Sequence, residues 1–137
     1  MIQDATFPAG ETIPALGQGT WKMESDKRAD AIAALRLGVE LGMTLIDIAE
    51  MYGDGKVETL VGEAFAGTRE RIFLVSKVYP QNSSRKGVAQ ACERSLKRLG
   101  TDRLDMYLLH WRGSVPWLRP WRGLKICAAP GKSAIGA

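Results

Sequence analysis

The sequence predicts an α/β fold built on a parallel sheet. Apolar strand-like runs end near residues 17, 47, 77 and 110, and amphipathic segments with helical spacing lie between them. The repeat is therefore about 30 residues, that of successive βαβ units. Periodicity alone leaves two architectures open: a doubly wound open sheet, or half of a (β/α)8 barrel.

Each element has its own signal. Residues 5–14 read as a small hairpin, with turn chemistry at residues 8–10, and the short apolar stretch Ala15-Leu16-Gly17 follows. Residues 25–30 supply capping side chains for a helix that runs to about Gly42. Its apolar positions Ala29, Ile32, Leu35 and Val39 recur every three to four residues. Thr44-Leu45-Ile46-Asp47-Ile48 is a buried strand, and residues 49–56 form a loop containing Gly53-Asp54-Gly55. A second helix covers residues 57–65. Residues 72–77 form a continuous apolar strand of the kind buried on both faces. A third helix spans about 85–99, with Val88, Cys92, Leu96 and Leu99 on one stripe and Gly100 as its stop; residues 104–110 are a further strand.

Composition narrows the classes of function. The 137 residues carry a net charge of +4, but the distribution is uneven: residues 1–110 sum to −1 and residues 111–137 to +5. The basic excess is thus confined to the last fifth and does not mark a nucleic-acid-binding domain. No apolar run approaches the roughly 20 residues needed to span a bilayer. The N-terminus lacks a basic segment followed by an apolar one, so a cytoplasmic location is expected. Cys92 and Cys127 form no metal-ligand pattern and are expected to be reduced thiols. Gly17-Gln18-Gly19 lacks the third glycine of a dinucleotide fingerprint, since Lys22 stands there. Pro130-Gly131-Lys132-Ser133 lacks the first glycine of a phosphate loop.

The chemistry concentrates at strand ends. Asp47, Lys77 and His110 each sit at the C-terminal end of an apolar strand, the end where parallel α/β folds build their sites. Parallel, adjacent strands would bring the three together, and Tyr52, in the loop after Asp47, can fold back over them. Such a set suits proton donation. A free phenol titrates near pH 10; a neighbouring ammonium favours the phenolate, and a carboxylate keeps that ammonium charged and placed. A neutral imidazole can hydrogen-bond and orient a carbonyl. The roles are then general acid for Tyr52, tuner for Lys77, the tuner's partner for Asp47 and orienter for His110, with no metal site.

The run Asp47-Ile48-Ala49-Glu50-Met51-Tyr52-Gly53 resembles the D-x-A-x-x-Y-G signature of the aldo-keto reductases. Ser76-Lys77-Val78 resembles their third-strand lysine, Asp105–Trp111 their D-x-Y-x-x-H-W strand, and Gly17-Gln18-Gly19-Thr20-Trp21 their first-strand turn. The likeness covers about residues 5–116 and is nearest to bacterial members that reduce small aldehydes such as methylglyoxal. Ile48 stands where those have Thr. The resemblance implies the N-terminal half of a (β/α)8 TIM barrel preceded by a hairpin, and NADPH-dependent reduction of a small carbonyl substrate with Tyr52 as proton donor. It also implies that Gly19, Thr20 and Asp47 lie at the cofactor, and that Trp21, Tyr52 and Trp111 line the substrate pocket. A non-catalytic, cofactor-sensing member of the family is the alternative.

After Pro116 the pattern breaks. Residues 117–137 show no helical stripe, carry two interior prolines and hold two of the four tryptophans. Permitted codons read out of frame from Pro116 can spell an amphipathic segment followed by G-K-I-R-D-W-G, the run that resembles the family's fifth strand. The expectation is a reductase half-barrel over residues 1–116, truncated by a frameshift, with residues 117–137 as an aberrant tail. Weak or absent activity follows from that expectation, as does self-association through open sheet edges, with neither a nucleic-acid nor a membrane partner.

Overall fold

The computed structural model describes residues 4–6, 10 and 12–114; residues 117–137, expected to form a separate tail, lie outside them. Strands β1 (Asp4–Thr6) and β2 (Thr12–Pro14) pair antiparallel as the expected hairpin, with Ala5 opposite Ile13. Then come β3 (Gly17–Gly19), α1 (Arg28–Glu40), β4 (Leu45–Asp47), α2 (Lys56–Ala64), β5 (Phe73–Val78), α3 (Arg85–Leu99) and β6 (Met106–Leu109). The last four strands form one parallel sheet in the order β3-β4-β5-β6, so sequence order is spatial order. That order fits successive βα units winding one way around a barrel. It is not the reversal at which a doubly wound sheet switches direction.

Alternation along the strands separates two faces. Ile46, Ile48, Leu74, Val78 and Tyr107 join Leu35, Val39, Val57, Val61, Val88 and Leu99 from the three helices in one buried cluster. Asp47 and Lys77, between those positions, lie on the other face. Each fully buried aliphatic side chain in the cluster contributes about 1.5–3 kcal/mol through removal from water. Polar side chains pin the layers together. Gln18 Nε2 donates to the carbonyls of Leu35 (3.1 Å) and Met43 (3.0 Å), joining β3 to α1 and to the turn that leads into β4. Glu58 of α2, fully buried, accepts from Arg98 Nε of α3 at 2.6 Å and from Ser76 Oγ of β5 at 3.3 Å.

The boundaries differ from the sequence reading where local chemistry intervenes. The expected capping of α1 by residues 25–30 does not occur: Lys27 is its N-cap and makes no side-chain capping bond. Ser25 Oγ instead donates to the Lys22 carbonyl across a short 3₁₀ turn, Met23–Ser25. Strand β6 starts later than expected because Asp105 is used sideways, accepting from Leu74 N–H at 2.8 Å and from Arg69 Nη2 at 2.6 Å. Helix α3 behaves as read: Ser84 Oγ accepts from Gly87 N–H, and Gly100, at φ 63°, closes the helix in the left-handed region. Cys92 lies on α3 and is 1% exposed; Cys127 lies outside the described residues. Among the described residues no helix is long and apolar enough to cross a membrane.

Candidate active site

The register of the sheet assembles the site. Gly19 of β3 lies opposite Asp47 of β4, Asp47 opposite Val75 of β5, and Lys77 of β5 opposite Leu108 of β6. His110 N–H continues the ladder by donating to the Val78 carbonyl at 3.1 Å. Asp47, Lys77 and His110 therefore emerge side by side at the C-terminal end of the sheet. Lys77 Nζ donates to Asp47 Oδ1 at 2.6 Å and to the Ile48 carbonyl at 3.0 Å, and its charge lies 5.3 Å from the centre of the Tyr52 ring. With two of its three donors committed, the ammonium is held in one orientation.

Tyr52 is delivered by an abrupt turn. Gly53, Asp54 and Gly55 all take positive φ (56°, 53° and 85°), so the chain reverses directly after the tyrosine and enters α2. Its ring meets the His110 imidazole edge to face, with centroids 5.8 Å apart. The imidazole's affinity for a proton is lowered, first by burial and then by the positive charge of Lys77, with Asp47 opposing. Among the described residues His110 Nδ1 is buried with no hydrogen-bond partner. A proton placed there would be a buried, unsatisfied donor, which favours the tautomer protonated on Nε2.

Trp21, Met51, Tyr52, His110 and Trp111 line an open, largely apolar pocket of about 330 Å³. Trp21 is 69% exposed and Trp111 48% exposed, a degree of exposure that suits walls waiting for a ligand better than core filler. A cavity of about 350 Å³ between Val61, Phe65, Arg69 and Leu99 lies at the opposite end of the strands, away from this chemistry. All four proton-transfer residues read from the sequence are thus brought together, along with both pocket tryptophans.

The three cofactor positions divide. A side chain at Gly19 would meet nothing within 4 Å, so the strand end is open for close approach of a ligand. Thr20, by contrast, is 1% exposed and its Oγ1 donates to the Asp47 carbonyl at 2.9 Å. That bond ties the residue after β3 to the end of β4. The sequence reading missed Glu50, Met51 and Tyr79. Their only signal was position, one or two residues from the tyrosine or the lysine. Among the described residues no cluster of His, Cys, Asp or Glu is arranged to hold a metal ion.

Four parallel strands in sequence order, with Asp47, Tyr52, Lys77 and His110 gathered at one end of the sheet, form the arrangement of a half-barrel. The sequence matches the Aldo/keto reductase family over residues 15–134, and the chain belongs to that family. It is 52% identical over 134 residues to methylglyoxal reductase YeaE of Escherichia coli, covering 96% of this chain and 46% of that protein. An aldo/keto reductase from Klebsiella pneumoniae, solved with NADP and acetate, superposes with a TM-score of 0.80 at 48% identity, over 86% of this chain and 42% of that one. A K. pneumoniae aldo-keto reductase in complex with NADPH gives 0.82 at 46% identity, over 90% and 45%. The chain thus spans about half the length of the relatives it matches, and its sheet corresponds to the N-terminal half of their TIM barrel.

Proposed function

We propose that the tetrad carried by this chain reduces small aldehydes or ketones, methylglyoxal among them, with NADPH as reductant. The single observation that carries this reading is the Lys77 ammonium, fixed between Asp47 and the Ile48 carbonyl and lying 5.3 Å from the Tyr52 ring. When bound, NADPH supplies the hydride; Gly19 and Asp47 are the residues that would face it, with Thr20 bonded to the Asp47 carbonyl. The aromatic walls flank the carbonyl. Nε2–H of His110 donates to the carbonyl oxygen and orients it. As negative charge builds on that oxygen, Tyr52 gives up its phenolic proton, and Lys77 stabilises the phenolate left behind.

The complete barrel contributes four further units, so the test joins residues 1–114 of this chain to the remainder of the E. coli relative. The chimera is expected to consume NADPH with methylglyoxal, and Tyr52→Phe to lower kcat by about 10²–10⁴-fold. A Tyr52→Phe chimera with undiminished kcat would refute the assignment. The 137-residue chain assayed alone is expected to be weak or inactive and to self-associate, since β3 and β6 each leave one edge unpaired among the described residues. Sedimentation as a monomer would remove the second expectation. The codon pattern supports a boundary at residue 116 with a frameshifted tail, whereas the family match to residue 134 favours a longer unit. The coding sequence across codons 110–125 decides between them.

A further inference from the structure

We infer that Glu50 is a positioning residue, setting where the Trp111 wall of the pocket stands and so which carbonyl side chains fit. This rests on the pocket reading above but concerns a group that touches neither substrate nor cofactor. Glu50 lies in the loop after β4, two residues before Tyr52, with its side chain only 6% exposed. Its Oε1 accepts from Tyr79 N–H at 2.6 Å and from Asn82 Nδ2 at 3.0 Å, while Arg94 Nη2 lies 3.6 Å from Oε2. Its own N–H donates to the Lys77 carbonyl at 3.3 Å. The loop that carries Tyr52 is thereby tied to the turn after β5 at both ends of that turn.

That turn in turn supports the loop after β6. The Tyr79 ring meets Trp111 edge to face, with centroids 6.0 Å apart. At Gly113 an added Cβ would come within 2.7 Å of Pro80 Cβ, so the two loops are in contact at a second point. Trp111 also packs against His110, centroids 4.7 Å apart. Displacing the Tyr79–Pro80 segment therefore displaces one wall of the cavity. A nearly buried carboxylate that accepts two hydrogen bonds from one turn holds that turn more firmly than packing alone, because losing it strands two donors.

The test uses the full chain labelled with 5-fluorotryptophan, its Trp111 resonance assigned by Trp111→Phe, so the readout does not depend on catalysis. Glu50→Ala is expected to move the Trp111 resonance by more than its linewidth. Glu50→Gln, which keeps the acceptor Oε1, is expected to leave it in place. Asp105→Asn weakens a comparable loop anchor at the opposite end of the sheet and is expected to lower the urea midpoint without moving Trp111. An unmoved Trp111 in Glu50→Ala, or an equal shift in Asp105→Asn, overturns the inference. Should Glu50→Ala fail to fold, Asn82→Ala removes one of the two donors and carries the same test: an unmoved Trp111 refutes the role. Because the resonance reports position only, its behaviour stands apart from whether the chimera reduces methylglyoxal.

Discussion

Arg98→Ala should be among the most damaging single substitutions that leave the hydrophobic core untouched. Glu58 is 0% exposed, and its carboxylate is held by Arg98 Nε at 2.6 Å and by Ser76 Oγ at 3.3 Å. Truncating Arg98 leaves a buried negative charge with one long, neutral hydrogen bond. Breaking a buried pair from one side costs about 3–5 kcal/mol, whereas an exposed pair is worth about 0–1 kcal/mol. Against a typical domain stability of about 5–15 kcal/mol, that loss approaches unfolding. Adding Glu58→Gln removes the orphaned charge while keeping an acceptor for Ser76, and should recover about 1–3 kcal/mol. Urea denaturation followed by circular dichroism measures both changes, with the m-value required to stay constant. A cost below about 1 kcal/mol for Arg98→Ala, in the range of an exposed pair, would show that water reaches Glu58. Failure of the second substitution to recover anything would show that charge is not the cause.

Three further outcomes are expected. The His110 imidazole should titrate below the free value of about 6.5 in an NMR titration, move up in Lys77→Met and move further down in Asp47→Asn; a midpoint at or above the free value contradicts the site's electrostatics. With its folded value lowered, the unfolded chain takes up the proton first, so His110 makes stability fall as pH drops below about 6.5 and has no effect above it. Gly62→Ala should cost about 1–3 kcal/mol in thermal or urea unfolding, because its Cβ would lie 2.5 Å from the Leu99 carbonyl oxygen where α2 and α3 touch; a neutral result means the helices can part freely. Ser84→Ala should cost about 1 kcal/mol by removing the acceptor for Gly87 N–H, and Ser84→Asp should keep most of it.

The site was more legible in the sequence than the details of the elements that hold it. Asp47, Lys77 and His110 could be placed because parallel strands repeat one geometry, so equal phase in the sequence becomes adjacency in space. Tyr52 followed from its loop position and from the family signature. The bond from the Thr20 hydroxyl to the Asp47 carbonyl could not be read, because nothing in a G-x-G-T run shows which way the hydroxyl turns. The start of α1 was misread for a related reason: Ser25 and Asp26 look like caps, but the 3₁₀ turn takes Ser25 first. Glu50 was invisible because its partners are 29 and 32 residues away, and only the folded sheet brings them to one carboxylate.

Neighbouring residues on β5 divide the strand's labour. Ser76 turns towards Glu58 in the helix layer, and Lys77 towards Asp47 at the reaction centre. A slip of one position would carry the ammonium into the helix layer, away from Asp47, and leave a hydroxyl where the phenol needs a cation. Mispairing of this strand thus costs the ammonium its Asp47 and Ile48 partners as well as the packing. The lysine that the proposed chemistry requires is also a residue whose bonds are met in one register of the sheet only.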